Sequence, residues 1–100
     1  MADKLTDAEL TKALAALPGW ERKNGMLVKT YAHATFPEAI VFVNAVAHLA
    51  ELLNHHPDVD IRYSNITLSL TTHDSGGITA KDVTLAQQVE SIRKRAQATP

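Results

Sequence analysis

The sequence predicts an α+β fold: a four-stranded antiparallel sheet with three helices packed on one face, in the order helix, hairpin, helix, hairpin, helix. Three observations carry this expectation. Apolar residues recur at helical spacing in three segments, around Leu10 to Leu17, Ile40 to Leu53 and Val83 to Ala96. Asn24-Gly25 stands between two short extended segments, the strongest short-range hairpin signal, because both residues tolerate positive φ. Val59, Ile61 and Tyr63, then Ile66, Leu68 and Leu70, alternate with polar residues, which is the period of a half-buried strand pair.

The 100 residues suit a single domain with one modest core, spanning residues 1–100. Hydrophobic content of 45% and charged content of 21% are those of an ordinary globular protein. A net charge of -1 gives no general attraction to nucleic acid or to an anionic membrane, so neither is expected as a partner. With no cysteine, disulfides, thiolate metal sites and cysteine nucleophiles are excluded. Met1-Ala2-Asp3-Lys4 has no signal-peptide core, and the longest apolar run is broken by Asn44, His48 and Glu51, so no membrane span is expected and the cytoplasm is the default compartment.

Along the chain, Thr6-Asp7-Ala8-Glu9 reads as a capping box opening the first helix, with Leu5 and Leu10 as its hydrophobic staple; Pro18-Gly19 ends it. Trp20, the only tryptophan, begins the first extended segment and suits either the core or the wall of a pocket. The second helix starts near Thr35-Phe36-Pro37-Glu38. Pro37 at the first helical position makes Phe36 the cap, whereas Thr35 with Glu38 suits a capping box one residue earlier. This helix is apolar around most of its circumference, more than one small sheet can cover, so a second element or a second subunit is expected on its other side. His48 within it reads as a core or interface residue. The turn of the second hairpin is expected at Ser64-Asn65. The third helix starts at Thr79, which puts Asp82 in its first turn as a cap or dipole partner, and Arg93, Lys94 and Arg95 in its last turns. Ala98-Thr99-Pro100 is expected to fray.

Chemistry concentrates at Glu51-Leu52-Leu53-Asn54-His55-His56-Pro57. Pro57 disfavours helical geometry at His56, so the helix is expected to end near His55. Glu51 and His55, four apart, then share one helix face, where the carboxylate can accept the imidazole N–H and fix its tautomer. His56 must point elsewhere. A second polar cluster, Thr72-His73-Asp74-Ser75-Gly76-Gly77, follows the last strand and reads as a loop whose backbone can approach a ligand closely. Five histidines in 100 residues hint at acid–base or ligand chemistry.

Glu51, His55-His56-Pro57, Tyr63, Thr72-His73-Asp74 and Asp82, with Leu17-Pro18-Gly19-Trp20 near the start, resemble the pterin-4a-carbinolamine dehydratase family over most of the chain. Tyr31, His33 and Ser64 depart from the family's usual residues without touching the histidines. The resemblance implies a lyase that dehydrates 4a-hydroxytetrahydrobiopterin to quinonoid dihydropterin and water by histidine general acid–base catalysis. Such a reaction serves tetrahydrobiopterin recycling for aromatic amino acid hydroxylases and uses no metal or bound cofactor. Carried over position by position, His55 and His73 are the acid–base residues and Glu51 orients His55. His55, His56, Pro57, Thr72, His73, Asp74, Ser75 and Trp20 bind substrate, while Asp82 and Tyr63 support the site. A homodimer or homotetramer is also implied. Rival readings are a zinc site on His55, His73 and Glu51, whose spacing is no usual zinc motif, a pterin binder with another role, and a dimerisation cofactor acting through protein contacts, as animal members do for a homeodomain transcription factor.

Overall fold

The structure, a computed structural model, describes residues 3–98, with side chains described through residue 94. Its elements are α1 (Asp7–Ala15), β1 (Glu21–Lys23), β2 (Met26–Ala32), α2 (Phe36–Leu53), β3 (Asp58–Arg62), β4 (Asn65–Leu70), a single 3-10 turn at His73–Ser75, and α3 (Ala80–Ala98). The expected order of elements is thus found. Of the expected frayed end, Ala98 is helical, and Thr99 and Pro100 lie outside the described residues.

Local signals account for most boundaries. Thr6 and Glu9 form the full capping box of α1, each side chain bonded to the other's backbone N–H. Asn24 and Gly25 both take positive φ, 52° and 75°, and close the β1–β2 hairpin with Lys23 opposite Met26. At α2 the cap is Thr35, whose hydroxyl accepts from the Glu38 N–H at 3.2 Å; Phe36 is already helical, so Phe36 as cap is corrected. A hydroxyl can satisfy a free N–H of the first turn and a phenyl ring cannot. The second hairpin turns at Tyr63-Ser64 instead of Ser64-Asn65. Tyr63 leaves the strand alternation, takes φ 51° and is 74% exposed.

All strand pairs are antiparallel, in the order β1-β2-β4-β3. Register puts Leu27 opposite Leu70 and Tyr31 opposite Ile66 on one apolar face of β2 and β4, interrupted only by Lys29 opposite Leu68. Ala39, Phe42 and Val46 of α2, Leu85, Ala86 and Val89 of α3, and Leu10 of α1 join these residues in one core cluster. The opposite face is polar, with Thr30 and Thr67 hydroxyls bonded at 2.7 Å.

Coverage stops short of β3. Val59 and Ile61 sit opposite Leu68 and Ile66, which are fully buried, yet all five β3 residues are exposed. Helix α2 leaves Val41 and Leu52 at 68% and 85% exposure, and His48 is exposed rather than in the core. By length and composition α2, with mean hydropathy 1.4, also meets the requirement for crossing a membrane; its buried face packs against the sheet.

Candidate functional site

The two histidines of the corner part company because α2 ends early. Its last residue is Leu53, and Asn54 caps it in the left-handed region at φ 50°, donating its N–H to Glu51 and Ala50 carbonyls. Asparagine is the residue other than glycine that tolerates this conformation best. The reversal takes His55 off the helix face of Glu51. The expected Glu51–His55 pair is therefore corrected: Glu51 Oε1 accepts from His56 Nε2 at 2.7 Å, and His55 Nε2 pairs with Asp82 Oδ1 at 2.6 Å.

The two pairs differ in surroundings. His56 and Glu51 are 58% and 79% exposed, whereas His55 is 13% exposed and Asp82 fully buried. Asp82 is the hub of the cluster. Its Oδ2 accepts from the Thr72 hydroxyl at 2.8 Å and from the Thr79 backbone N–H at 2.9 Å. The Thr72 and Thr79 hydroxyls are 2.7 Å apart. Asp82 thus bonds the start of α3, as its capping position predicts, and also pairs with His55, the role expected of Glu51. Among the described residues no buried side-chain polar atom lacks a hydrogen-bond partner.

A carboxylate can only accept, so the Asp82 contact assigns the proton of neutral His55 to Nε2. His55 Nδ1 is then the ring nitrogen that carries no proton. His73 follows Thr72, which is tied to the same carboxylate. The loop closes through Thr72 N–H to Gly77 carbonyl at 2.9 Å, and Gly76 takes φ 73° in the turn. His73 and Asp74 are exposed on this loop; Ser75 is half-buried, its N–H bonded to the Thr72 carbonyl. Pro57 is half-buried between α2 and β3. The hydroxyl of Thr72 faces Asp82 and Thr79, and its backbone N–H and carbonyl are bonded within the loop, to Gly77 and Ser75.

Two expected site residues lie outside this cluster. Trp20 is a core residue whose indole N–H donates to Glu90 Oε2 at 3.3 Å, and Glu90 lies eight residues along α3 from Asp82, about 12 Å of helix. Trp20 as a wall of the histidine pocket is corrected accordingly. Tyr63, at its exposed turn, makes no support for the cluster. Glu90 Oε2 also accepts from Lys29 Nζ at 2.7 Å and from the Tyr31 hydroxyl. Burial opposes the Glu90 charge, but bonds from Lys29 and Tyr31, the Lys29 charge and the Trp20 bond together hold its carboxyl below the usual range. Burial, and next the bond to Glu90, push the Tyr31 hydroxyl well up, so it remains a donor. Sequence reasoning missed this junction, in which Glu90 lies 59 to 70 residues from its three partners, and it missed Thr79 as a site residue. The Thr79-x-x-Asp82 capping spacing was the available signal.

A separate hollow of about 480 Å3 lies between α2, α3 and the end of β2, walled by Val41, Phe42 and Ile92. It shares no residue with the histidine cluster. Arg93 lines it, donating to His33 Nε2 at 2.6 Å and to the Ala32 carbonyl at 2.8 Å.

The sequence profile of pterin 4 alpha carbinolamine dehydratase matches residues 3–92. The chain belongs to the pterin-4-alpha-carbinolamine dehydratase family. A relative from Roseiflexus sp. (strain RS-1), provisionally named a pterin-4-alpha-carbinolamine dehydratase, is 52% identical over 92 residues, covering 92% of this chain and 99% of its own. A similarly named protein from Chloroflexus aurantiacus (strain ATCC 29366 / DSM 635 / J-10-fl) is 49% identical over 89% of this chain and 96% of its own. The crystal structure of a transcriptional coactivator/pterin dehydratase from Brucella melitensis superposes with a TM-score of 0.86 at 30% identity, covering 90% of this chain and 98% of that one. A pterin dehydratase-like protein described as a RuBisCO assembly factor in the alpha-carboxysome shares the fold, with a TM-score of 0.59 at 22% identity over 72% of this chain and 83% of that one. The α+β architecture expected from the order of elements is that of the Brucella protein.

Proposed function

We propose that this protein dehydrates a pterin-4a-carbinolamine by histidine acid–base catalysis, with His55 and His73 as the reacting groups. In the reaction the C4a–O bond breaks and the hydroxyl leaves as water, taking a proton. Electrons from the neighbouring ring nitrogen form the new double bond, and that nitrogen gives up its proton. One group must donate and one accept, and histidine can do either near neutral pH. The observation that carries this reading is the commitment of His55 Nε2 to buried Asp82, which leaves Nδ1 for the transfer, with His73 one residue from Thr72 on the same carboxylate. His56, held by Glu51 at the surface, contacts the substrate, and the loop from Thr72 to Ser75 forms the opposite wall. The product is reduced by another enzyme, which links the reaction to aromatic amino acid hydroxylases in the cytoplasm.

The test is stopped-flow dehydration of chemically generated 4a-hydroxytetrahydropterin. His55→Ala and His73→Ala each lose ~100- to 10,000-fold in rate while keeping the fold. Wild-type rates in both variants would defeat the assignment.

A role in protein contacts is a second reading, favoured by the exposed Val41, Leu52, Val59 and Ile61. The uncovered β3 edge and the outer face of α2 suit other copies of this chain, as a homodimer or homotetramer. Light scattering of a monomer alone at micromolar concentration would remove that support.

A further inference from the structure

We propose that Thr79 is a positioning residue for the reaction: its hydroxyl, acting through Thr72, holds the Asp82 carboxylate in the one orientation that fixes the His55 ring. This deepens the acid–base reading above and rests on it.

The direction of each bond follows from what each group can give. Asp82 Oδ2 only accepts, so the single Thr72 hydroxyl proton points to Oδ2 at 2.8 Å. Thr72 Oγ1 is then the acceptor in its contact with Thr79 Oγ1 at 2.7 Å, and Thr79 donates. The Thr79 oxygen in turn accepts the Lys81 backbone N–H at 3.2 Å. A one-way chain results: Lys81 N–H to Thr79, Thr79 to Thr72, Thr72 to Oδ2. The other carboxylate oxygen takes the His55 Nε2–H. Every donor before the imidazole has one acceptor, so no alternative arrangement satisfies all of them.

The anchor is rigid. Thr79 is fully buried, its N–H is fixed on Oδ2, and its carbonyl accepts from Asp82 and Val83. Beside it, Leu5 N–H bonds the Ile78 carbonyl at 2.9 Å, and Lys4 bridges to Thr79 itself. Without the Thr79 hydroxyl, Thr72 Oγ1 loses the donor that anchors it from behind and polarises its O–H, so its bond to Oδ2 weakens. The buried carboxylate is then held more loosely, its bond to the His55 Nε2–H loosens with it, and His55 samples both tautomers. Thr79 touches neither the ring nor the substrate, so its effect falls on turnover.

The experiment compares Thr79→Val and Thr79→Ser with wild type, by dehydration kinetics and by nitrogen NMR of the His55 imidazole in the unliganded protein. Thr79→Val is expected to lower kcat by about tenfold with KM little changed, the scale seen when a histidine ring loses its outer support. Its His55 signals should move from a single Nε2–H form to a tautomer mixture, and Thr79→Ser should restore both. An unchanged tautomer in Thr79→Val, whatever its rate, overturns the proposal, and so does a serine variant that behaves like valine. A mixed tautomer with wild-type kcat upholds the hydroxyl chain and refutes His55 as the acid–base residue. Should Thr79→Val not fold, Thr72→Val breaks the same chain one link closer to Asp82 and is read by the same two outcomes.

Discussion

Replacing Asp82 with asparagine keeps its shape and changes what one of its two atoms can do. Oδ2 receives two donors, the Thr72 hydroxyl and the Thr79 N–H, and Oδ1 receives one, His55 Nε2. The backbone N–H cannot become an acceptor, so the amide oxygen must stay on that side. The opposite flip would set the amide NH2 against the Thr79 N–H at 2.9 Å and leave two buried donors unpaired, costing roughly 2–6 kcal/mol, a preference of about 30-fold or more. The amide NH2 group then faces His55 Nε2, which can accept only if the ring proton moves to Nδ1. His55 is left intact, well placed and in the wrong tautomer. The same fault in a serine protease triad costs ~10,000-fold, and ~100- to 10,000-fold is expected here. Loss of a charge-assisted bond should lower stability by roughly 1.5–3 kcal/mol. The assay is stopped-flow dehydration beside a thermal melt. A folded Asp82→Asn variant with wild-type kcat would refute the tautomer argument.

Three further outcomes follow from contacts around the site. Glu51→Gln should raise KM while leaving kcat near wild type, since Glu51 touches His56 and not His55; steady-state kinetics showing the reverse split would return Glu51 to His55. Glu90→Gln should cost roughly 1–3 kcal/mol by leaving Lys29 without its counter-charge. Because the Glu90 carboxyl sits below its ordinary value of 4.5, its contribution is present above that value and lost as pH falls through the lower native one, so melting temperatures of wild type and variant should converge in acid. Asn54→Gly should preserve stability and rate, whereas Asn54→Val should lose ~1–2 kcal/mol in the left-handed conformation and reduce activity; denaturant unfolding and the dehydration assay measure both.

Much of the fold was legible because its signals are local. The Asn24-Gly25 turn, the Thr6–Glu9 box and the alternation of Ile66, Leu68 and Leu70 each need only a few neighbouring residues. The histidine corner was legible as a place and misread as a pairing. Pro57 marks where a helix cannot continue, but Asn54 ends it two residues before His56, and that shift exchanges which histidine meets Glu51. An asparagine at a helix end is itself a termination signal. Trp20 shows the other kind of limit. Its partner Glu90 is 70 residues away, and no spacing within either segment announces the contact. Asp82 lies between the cases: its capping position is local, while its hold on His55 depends on how α3 packs against the end of α2.

His55 and His56 have almost the same hydrogen bond, 2.6 Å and 2.7 Å from Nε2 to a carboxylate, and their environments make these bonds unequal. The Glu51–His56 pair stands mostly in water, where such a contact is worth ~0–1 kcal/mol and is readily exchanged for solvent. His56 can therefore adjust its ring to an incoming ligand at little cost. The Asp82–His55 pair is closed off, and its carboxylate is bonded on the far side by two more donors, so turning His55 means disturbing a saturated buried network. Proton transfer needs a ring whose free nitrogen is already aimed, whereas binding tolerates one that settles on contact. The left-handed residue Asn54 separates the two by turning the chain between the helix and His55. A single backbone reversal thus gives adjacent, chemically identical side chains one fixed position and one adaptable position.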